Sequence, residues 1–300
     1  MHFFGLFVAA LMAITATAVP VPASTNPALP CASSTVKDDQ STAFGWQLVG
    51  TSSDASSLDE TCGQIANDQA SRWGSLGLSL QRLQTPVCNA INPKAADALP
   101  RVLTANTGSM KTLFENAFAA GDSDTYGYLC QNLDYEQISS FSLNDMLIIN
   151  ATCNLSTKQA SPQPFESADG GEPNEAAVAA YSDAQSKLYA YLYAAQASTT
   201  EQLNSLCQAS QSKQSRANYK ALQFDADCVS TTICSIQQPL SVEDGKAQIK
   251  KFTSMSFANV LVHSSNVKGY KQKICSKLDT QRLEAAGIDG ELVKSMACDA

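Results

Sequence analysis

Ten cysteines are the residues of this 300-residue chain whose chemistry is best predicted by spacing. Eight of them fall into two series of four with nearly the same gaps. The gaps are 26, 42 and 23 positions between Cys62, Cys88, Cys130 and Cys153. They are 27, 41 and 23 positions between Cys207, Cys234, Cys275 and Cys298. Because cysteines in an oxidising compartment form disulfides, the spacing predicts one disulfide-bearing unit used twice.

The repeat also predicts which cysteines pair. Within each series the first cysteine bonds the second and the third bonds the fourth. This gives the pairs Cys62–Cys88, Cys130–Cys153, Cys207–Cys234 and Cys275–Cys298. Cys31 and Cys228 are left to meet, and their bond would link the two units. The alternatives are that one pair stays reduced or joins two copies of the chain.

Side chains other than cysteine follow the same repeat. Leu133 and Asp134, shortly after Cys130, match Leu278 and Asp279, shortly after Cys275. Four further apolar positions coincide downstream without a gap. These matches predict an internal duplication. The alternative is coincidence between two helical stretches that are rich in small residues.

Other residue types offer little catalytic chemistry. His263 is the mature chain's one histidine, and no G-x-S-x-G motif accompanies it as a serine hydrolase would require. The acid pairs Asp122/Asp124 and Asp225/Asp227 lack the ligand density of a calcium loop and are typical of turns and helix caps. No zinc pattern or phosphate loop is present. We therefore predict a non-enzymatic protein with no catalytic residue, metal or cofactor.

The N-terminus predicts secretion. Residues 1–18 hold a short apolar run and a small-x-small site, which is typical of a signal peptide cleaved after Ala18. The alternative is cleavage a few residues later, beyond the Val-Pro-Val-Pro segment at 19–22. Two acceptor sequons, at Asn150 and Asn154, flank Cys153 and predict glycosylation. No second long apolar stretch exists, so no membrane span is expected. The net charge of −8 argues against a nucleic-acid partner or an anionic membrane surface.

Composition and periodicity predict the layout of the chain. Residues 31–155 and 175–300 form two units, and the Pro- and Gly-containing segment 156–174 reads as a flexible linker. The apolar residues recur at helical spacing, for example on one face of a helix over about 175–197. Asp289 is a suitable N-cap for a last helix over 290–297. The sequence thus predicts an all-α protein made of two tandem disulfide-stapled helical units.

Two segments of the second unit resemble a known family. They are KLYAYLYAAQASTTEQLNSLC at 187–207 and YKALQFDADCVSTTIC at 219–234. Their alanine- and tyrosine-bearing helix, followed by a close cysteine pair, resembles the elicitins, small sterol-carrying helical proteins secreted by oomycetes. The chain departs from that pattern by extra residues before Cys275 and by a missing cysteine in each unit. The resemblance implies another pairing for four cysteines, namely Cys31–Cys130 and Cys228–Cys298.

The resemblance also implies a ligand. An elicitin-like protein would carry a sterol or fatty acid in a cavity between helices. Tyr189, Tyr191, Tyr193 and Tyr219 offer apolar rings with a hydroxyl for a ligand head group, although ordinary packing of tyrosines is the alternative. The predicted function is therefore a secreted lipid carrier. The second interpretation is a fungal or oomycete effector that binds a host protein or glycan, and an extracellular hydrolase ranks last.

Overall fold

The structure, a computed structural model, describes residues 35–156 and 172–299, without the side chains of 68–71. Helices make up most of this part of the chain. It contains no strand, and its one β-bridge joins Phe118 to Leu278. The predicted all-α class is confirmed. Within the same residues, no helix is long and apolar enough to cross a bilayer.

Eight helices lie in each half of the described chain. Those of the first half are α1 (Val36–Thr51), α2 (Ala55–Ala66), α3 (Asp68–Ser75), α4 (Leu80–Asn89), α5 (Ala95–Asn116), α6 (Ser123–Asn132), α7 (Tyr135–Ser140) and α8 (Asp145–Asn154). Those of the second half are α9 (Glu175–Ala194), α10 (Thr200–Ser210), α11 (Lys213–Ala221), α12 (Ala226–Ser235), α13 (Val242–His263), α14 (Tyr270–Cys275), α15 (Thr280–Ala285) and α16 (Gly290–Cys298).

Polar side chains mark where most of these helices begin. Asn174 accepts from the backbone N–H of Ala177 at 3.0 Å and starts α9. Asp289 accepts from the N–H of Leu292 at 2.9 Å and starts α16, as predicted. Each cap satisfies one of the N–H groups that a first helical turn leaves without a partner. These short polar residues therefore set the helix boundaries locally.

The order of the helices repeats from one half to the other. Each helix of the second half follows its counterpart by about 145 positions. Left-handed backbone positions recur at similar spacing, in the pairs Gly77 and Gln223, Gly121 and Gly269, and Ser142 and Gly287. This arrangement agrees with the predicted repeat. Descent of the two halves from a gene duplication stays a prediction.

The two halves exchange matching hydrogen bonds. The N–H of Asp134 donates to the carbonyl of Ser264 at 2.8 Å. The N–H of Asp279, which matches Asp134, donates to the carbonyl of Ala117 at 2.8 Å. Each half thus donates from the start of its seventh helix to the chain just beyond the other half's fifth helix. Such reciprocity is typical of an isologous interface between two like subunits.

The two larger hydrophobic cores of the described chain are built from both halves. In one, the rings of Phe114 and Phe257 meet edge to face with centroids 5.5 Å apart. In the other, Phe44 packs against Trp73 at 5.7 Å and against Tyr189 of the second half at 6.2 Å. The described residues, 35–156 and 172–299, accordingly belong to one compact unit.

The predicted units 31–155 and 175–300 are therefore halves of a single packed body. Periodicity shows that a stripe is buried but not against which element it packs. Of the predicted linker 156–174, the segment 157–171 lies outside the described residues. The predicted signal peptide, 1–18, also lies outside them.

Four disulfides join cysteines within the halves, with sulfur–sulfur distances of 1.95–2.21 Å. They are Cys62–Cys88, Cys130–Cys153, Cys207–Cys234 and Cys275–Cys298. These four of the pairs derived from the repeat are confirmed. The pairs Cys31–Cys130 and Cys228–Cys298, implied by the elicitin resemblance, are wrong because Cys130 and Cys298 bond neighbours in their own series. Each bond ties the second helix of a half to the fourth, or the sixth to the eighth.

Candidate functional site

The histidine of the predicted mature chain lies at the end of a helix. His263 is the last residue of α13, and the Asn174 side-chain amide lies 3.1 Å from its Nδ1. Partial burial, aided by the positive charge of Lys271, lowers the pKa of the imidazole. The side chain beside this nitrogen is an amide, whereas a Ser-His-Asp triad has a carboxylate at that place.

The acid pairs cap helices, as expected. Asp122 accepts from the Thr125 hydroxyl at 2.7 Å, and this bond lowers the pKa of its carboxyl. Asp225 accepts from the N–H groups of Asp227 and Cys228 at 2.9 and 3.0 Å. Over residues 35–156 and 172–299 no group of three His, Cys, Asp or Glu side chains could hold a metal ion.

The remaining cysteine of the described chain is a half-buried thiol. The Cys228 Sγ lies 3.3 Å from a carboxylate oxygen of Asp183. Burial, with that hydrogen bond, raises the pKa of the thiol to about 11. A thiol held in this way is a poor nucleophile at neutral pH, because the thiolate is the reactive form. Its predicted partner, Cys31, lies outside the described residues, and their bond stays a prediction.

Both predicted glycan acceptors lie on one exposed helix surface. Asn150 and Asn154 stand on α8, and both are exposed. The sequon hydroxyl of Thr152 is buried and donates to the carbonyl of Ile149 at 2.7 Å. Glycosylation at either position stays a prediction.

The four tyrosines singled out from the sequence serve mostly as packing residues. Tyr189 is fully buried, stacks on Phe224 at 4.9 Å, and donates to the hydroxyl of Thr51 at 3.0 Å. Tyr219 is also buried, in contact with Tyr189. Tyr191 instead stacks on Phe252 at 5.5 Å, beside α13. The alternative of ordinary packing therefore describes these three residues.

A different group of side chains forms an open apolar cleft of about 250 Å³ between α5 and α9. We call it the aromatic cleft because three aromatic rings line it. They are Phe141, Tyr181 and Phe224. Val102 and Leu103 of α5 add aliphatic surface, while Asn106, Ser182 and Gln185 add polar groups. An apolar wall with few convergent polar groups is the usual composition of a small-molecule site.

Tyr181 places a hydroxyl in this apolar setting. Its side chain is 7% exposed, and its ring meets that of Phe141 edge to face at 5.5 Å. Burial raises the pKa of the phenol, so the hydroxyl stays protonated. Among the described residues no hydrogen-bond partner of this hydroxyl is found. The protein does not enclose the oxygen itself, so this hydroxyl is available to a ligand or water in the open cleft.

Two residues at the cleft have a backbone conformation that normally favours glycine. Ser142 has φ 58° and Gln223 has φ 64°, and both line the aromatic cleft. At the matching positions the other half of the repeat has Gly287 and Gly77. A side chain in this conformation costs about 1–2 kcal/mol. Strained backbone conformations of this kind cluster at functional sites.

Sequence reasoning missed most of the aromatic cleft. Phe141 and Phe224 lie just beyond the ends of α7 and α11, where no helical periodicity marks them. Tyr181 lies within the helix predicted over about 175–197, but helical periodicity alone assigns it to no site. The signal that could have found the cleft is the repeat itself, since Ser142 and Gln223 match glycines about 145 positions away.

Comparison with models of known protein families, with curated proteins and with solved structures finds no match for this chain. The elicitin resemblance therefore stays an expectation. The internal geometry alone carries the functional argument.

Proposed function

We propose that this protein is a secreted, non-enzymatic binding protein whose aromatic cleft takes an apolar ligand that carries one hydroxyl or carbonyl. The observation that carries the proposal is the Tyr181 hydroxyl, which has no hydrogen-bond partner among the described residues and lies in a cleft otherwise walled by Phe141 and Phe224. A ligand oxygen there would complete the hydrogen bonding of the phenol. The disulfides support an extracellular location.

The size of the cleft limits the ligand. At about 250 Å³ it lies just below the roughly 300–1,000 Å³ of sites that enclose drug-sized molecules. A sterol or fatty acid would therefore insert one end and leave the rest at the open mouth. For a sterol, the inserted end would be the ring that carries the hydroxyl. In this proposal the oxygen of the predicted sterol or fatty acid forms a hydrogen bond with the Tyr181 hydroxyl.

The test is ergosterol binding by the delipidated full chain, measured by direct titration. Tyr181→Phe removes the hydroxyl and keeps the ring, so we expect ergosterol to bind about fivefold to tenfold more weakly, as loss of one hydrogen bond predicts. Tyr191→Phe, outside the cleft, is the matched control and should leave binding unchanged. Equal affinity of wild type and Tyr181→Phe, or absence of any binding, would contradict the proposal.

Gln223 offers a second test, of strain kept for function. Gln223→Gly relieves the strain of the left-handed backbone in the folded state, but glycine also gives the unfolded chain more conformational freedom. We therefore expect the free energy of unfolding to stay the same or to rise by up to about 1 kcal/mol. Ergosterol binding should weaken, because the side chain is lost from the cleft. Urea unfolding with titration of the same variant measures both quantities.

The converse substitution is the control for strain. Gly77→Gln puts a side chain at the matching left-handed position, where a Cβ would meet nothing within 4 Å. It should therefore destabilise the fold by about 1–2 kcal/mol through the backbone alone. A stability loss in Gln223→Gly would show that Gln223 is kept for packing instead.

Secretion itself has a direct readout. N-terminal sequencing of protein from a eukaryotic culture medium should start beyond Ala18, and mass analysis should place glycan on Asn150 or Asn154. The alternative role as a fungal or oomycete effector that binds a host protein or glycan stays a prediction. No feature of the described residues favours it over a small ligand.

A further inference from the structure

The aromatic cleft combines residues of both halves, and it has a counterpart in which the matching residues of the two halves exchange places. This second cleft, of about 300 Å³, lies between α1 and α13. Its lining includes Gly77 and Gly287, which match Gln223 and Ser142 of the aromatic cleft. We call it the lysine cleft because Lys37, Lys246 and Lys250 line it.

Matching hydrogen bonds fix the correspondence between the two clefts. The Ser41 hydroxyl of α1 accepts from the N–H of Ser79 at 2.7 Å. The Ser186 hydroxyl of α9 accepts from the N–H of Asp225 at 2.9 Å. This register places Gln40 opposite Gln185, and each of these lines its own cleft.

A second pair of bonds fixes the register of the long fifth and thirteenth helices. The Thr107 hydroxyl of α5 accepts from the N–H of Asn144 at 3.0 Å. The Ser254 hydroxyl of α13 accepts from the N–H of Asp289 at 2.7 Å. Lys250 therefore occupies the position of Leu103 in the aromatic cleft.

The chemistry of the two clefts is nevertheless different. All three aromatic residues of the first are replaced by aliphatic ones in the second. Tyr181, Phe141 and Phe224 correspond to Val36, Ala286 and Leu78. Two neutral residues, Ser182 and Leu103, correspond to Lys37 and Lys250. One cleft is thus aromatic and neutral, while the other is aliphatic with a cationic rim.

We propose that the lysine cleft is a second binding site, for a short aliphatic chain that ends in an anionic carboxylate or phosphate. Val36, Leu78 and Ile249 form a buried aliphatic floor for the chain. Lys37 and Lys246 are exposed and make no ion pair with a described residue. These two ammonium groups are therefore free to pair with the anionic end.

Lys250 lines one wall of the site, but its ammonium group is already paired. Its ammonium pairs with the Glu284 carboxylate, whose other oxygen accepts from the N–H of Gly290 at 3.1 Å. The pair ties α13 to α15 beside the cleft. Since the chain as a whole has a net charge of −8, a cationic rim at this cavity opposes the general field. Such a rim attracts an anion locally.

The experiment compares octanoate, octyl phosphate and octanol, which share one alkyl chain, by calorimetric titration of the full chain. We expect octanoate or octyl phosphate to bind at least about fivefold more tightly than octanol, with affinity that falls as salt rises. The ratio of the two anions identifies the preferred head group. The same titrations are made with Tyr181→Phe, which removes the hydroxyl contact proposed for the aromatic cleft. Equal binding of octanol and the anions in that variant, or no binding of either anion, would overturn the proposal.

Lysine variants test whether the anion binds at the lysine cleft. Lys37→Gln with Lys246→Gln should weaken binding of the anion about tenfold, as loss of two charge contacts predicts. Lys213→Gln with Lys220→Gln is the matched control at two exposed lysines elsewhere, and should have no effect. Unchanged affinity in the first double variant would overturn the assignment. Because the aromatic cleft is itself proposed to accept a fatty acid, the lysine variants are compared in the Tyr181→Phe background, where Lys37→Gln with Lys246→Gln should cause the same loss. Failure of the aromatic-cleft proposal then remains distinguishable.

Discussion

A chain cut between residues 157 and 171, at an inserted protease site, should elute as one intact particle. The two larger hydrophobic cores draw buried side chains from each half, so neither half can bury its apolar surface alone. The packing across the halves is close. A Cβ added to Gly245 would come within 2.4 Å of a Leu76 methyl group. Size-exclusion chromatography of the cut protein measures the result directly.

A buried charge at this contact should separate the cut halves. Leu76 is 5% exposed, so Leu76→Asp puts a carboxylate into an apolar setting at a cost of several kcal/mol. Leu147→Asp is the matched control, because Leu147 is 41% exposed. We expect two separate or unfolded fragments for the first variant and one particle for the second. Fragments that part without any substitution would show that the halves fold independently.

The same cut protein reports on the cysteine that lacks a described partner. Under denaturing, non-reducing electrophoresis, a Cys31–Cys228 bond would keep the two fragments in one band. Cys228→Ser should then give two bands, while the native particle survives in both cases. Two bands from the parent protein would instead show that Cys228 keeps its free thiol, consistent with a pKa of about 11.

Local features were the ones that could be predicted from the sequence. Asp289 caps α16 because a carboxylate satisfies nearby N–H groups whatever the rest of the chain does. The four disulfides follow from cysteine spacing, since each closes a loop within one half. Both kinds of prediction depend on residues close together in the chain, and both are confirmed.

Contacts between distant segments could not be predicted in the same way. The stripe that contains Tyr181 is buried, but its partner Phe141 comes from the other half, beyond a helix end. Helical periodicity reports a buried face without naming the face opposite. Tyrosine composition pointed to Tyr189 and Tyr219, which fill the core. The residues of the aromatic cleft meet only because the halves share their cores.

Loss of the Cys130–Cys153 bond should lower both stability and ligand binding. Its ends are 23 residues apart, and loop-closure entropy for such a loop is worth about 3 kcal/mol. The bond joins α6 to α8, and the turn before α8 carries Phe141 and Ser142 of the aromatic cleft. We therefore expect Cys130→Ala with Cys153→Ala to reduce urea resistance and to weaken ergosterol binding together.

Removal of the Cys62–Cys88 bond is the control that separates the loss of stability from the loss of ligand binding. Its ends are 26 residues apart, so loop entropy predicts nearly the same stability loss, about 3 kcal/mol. It joins α2 to α4, and neither helix lines the aromatic cleft. Cys62→Ala with Cys88→Ala should thus lower the urea midpoint but leave ergosterol affinity unchanged below the transition. Equal loss of affinity in both double variants would mean that binding follows overall stability rather than the geometry around Phe141.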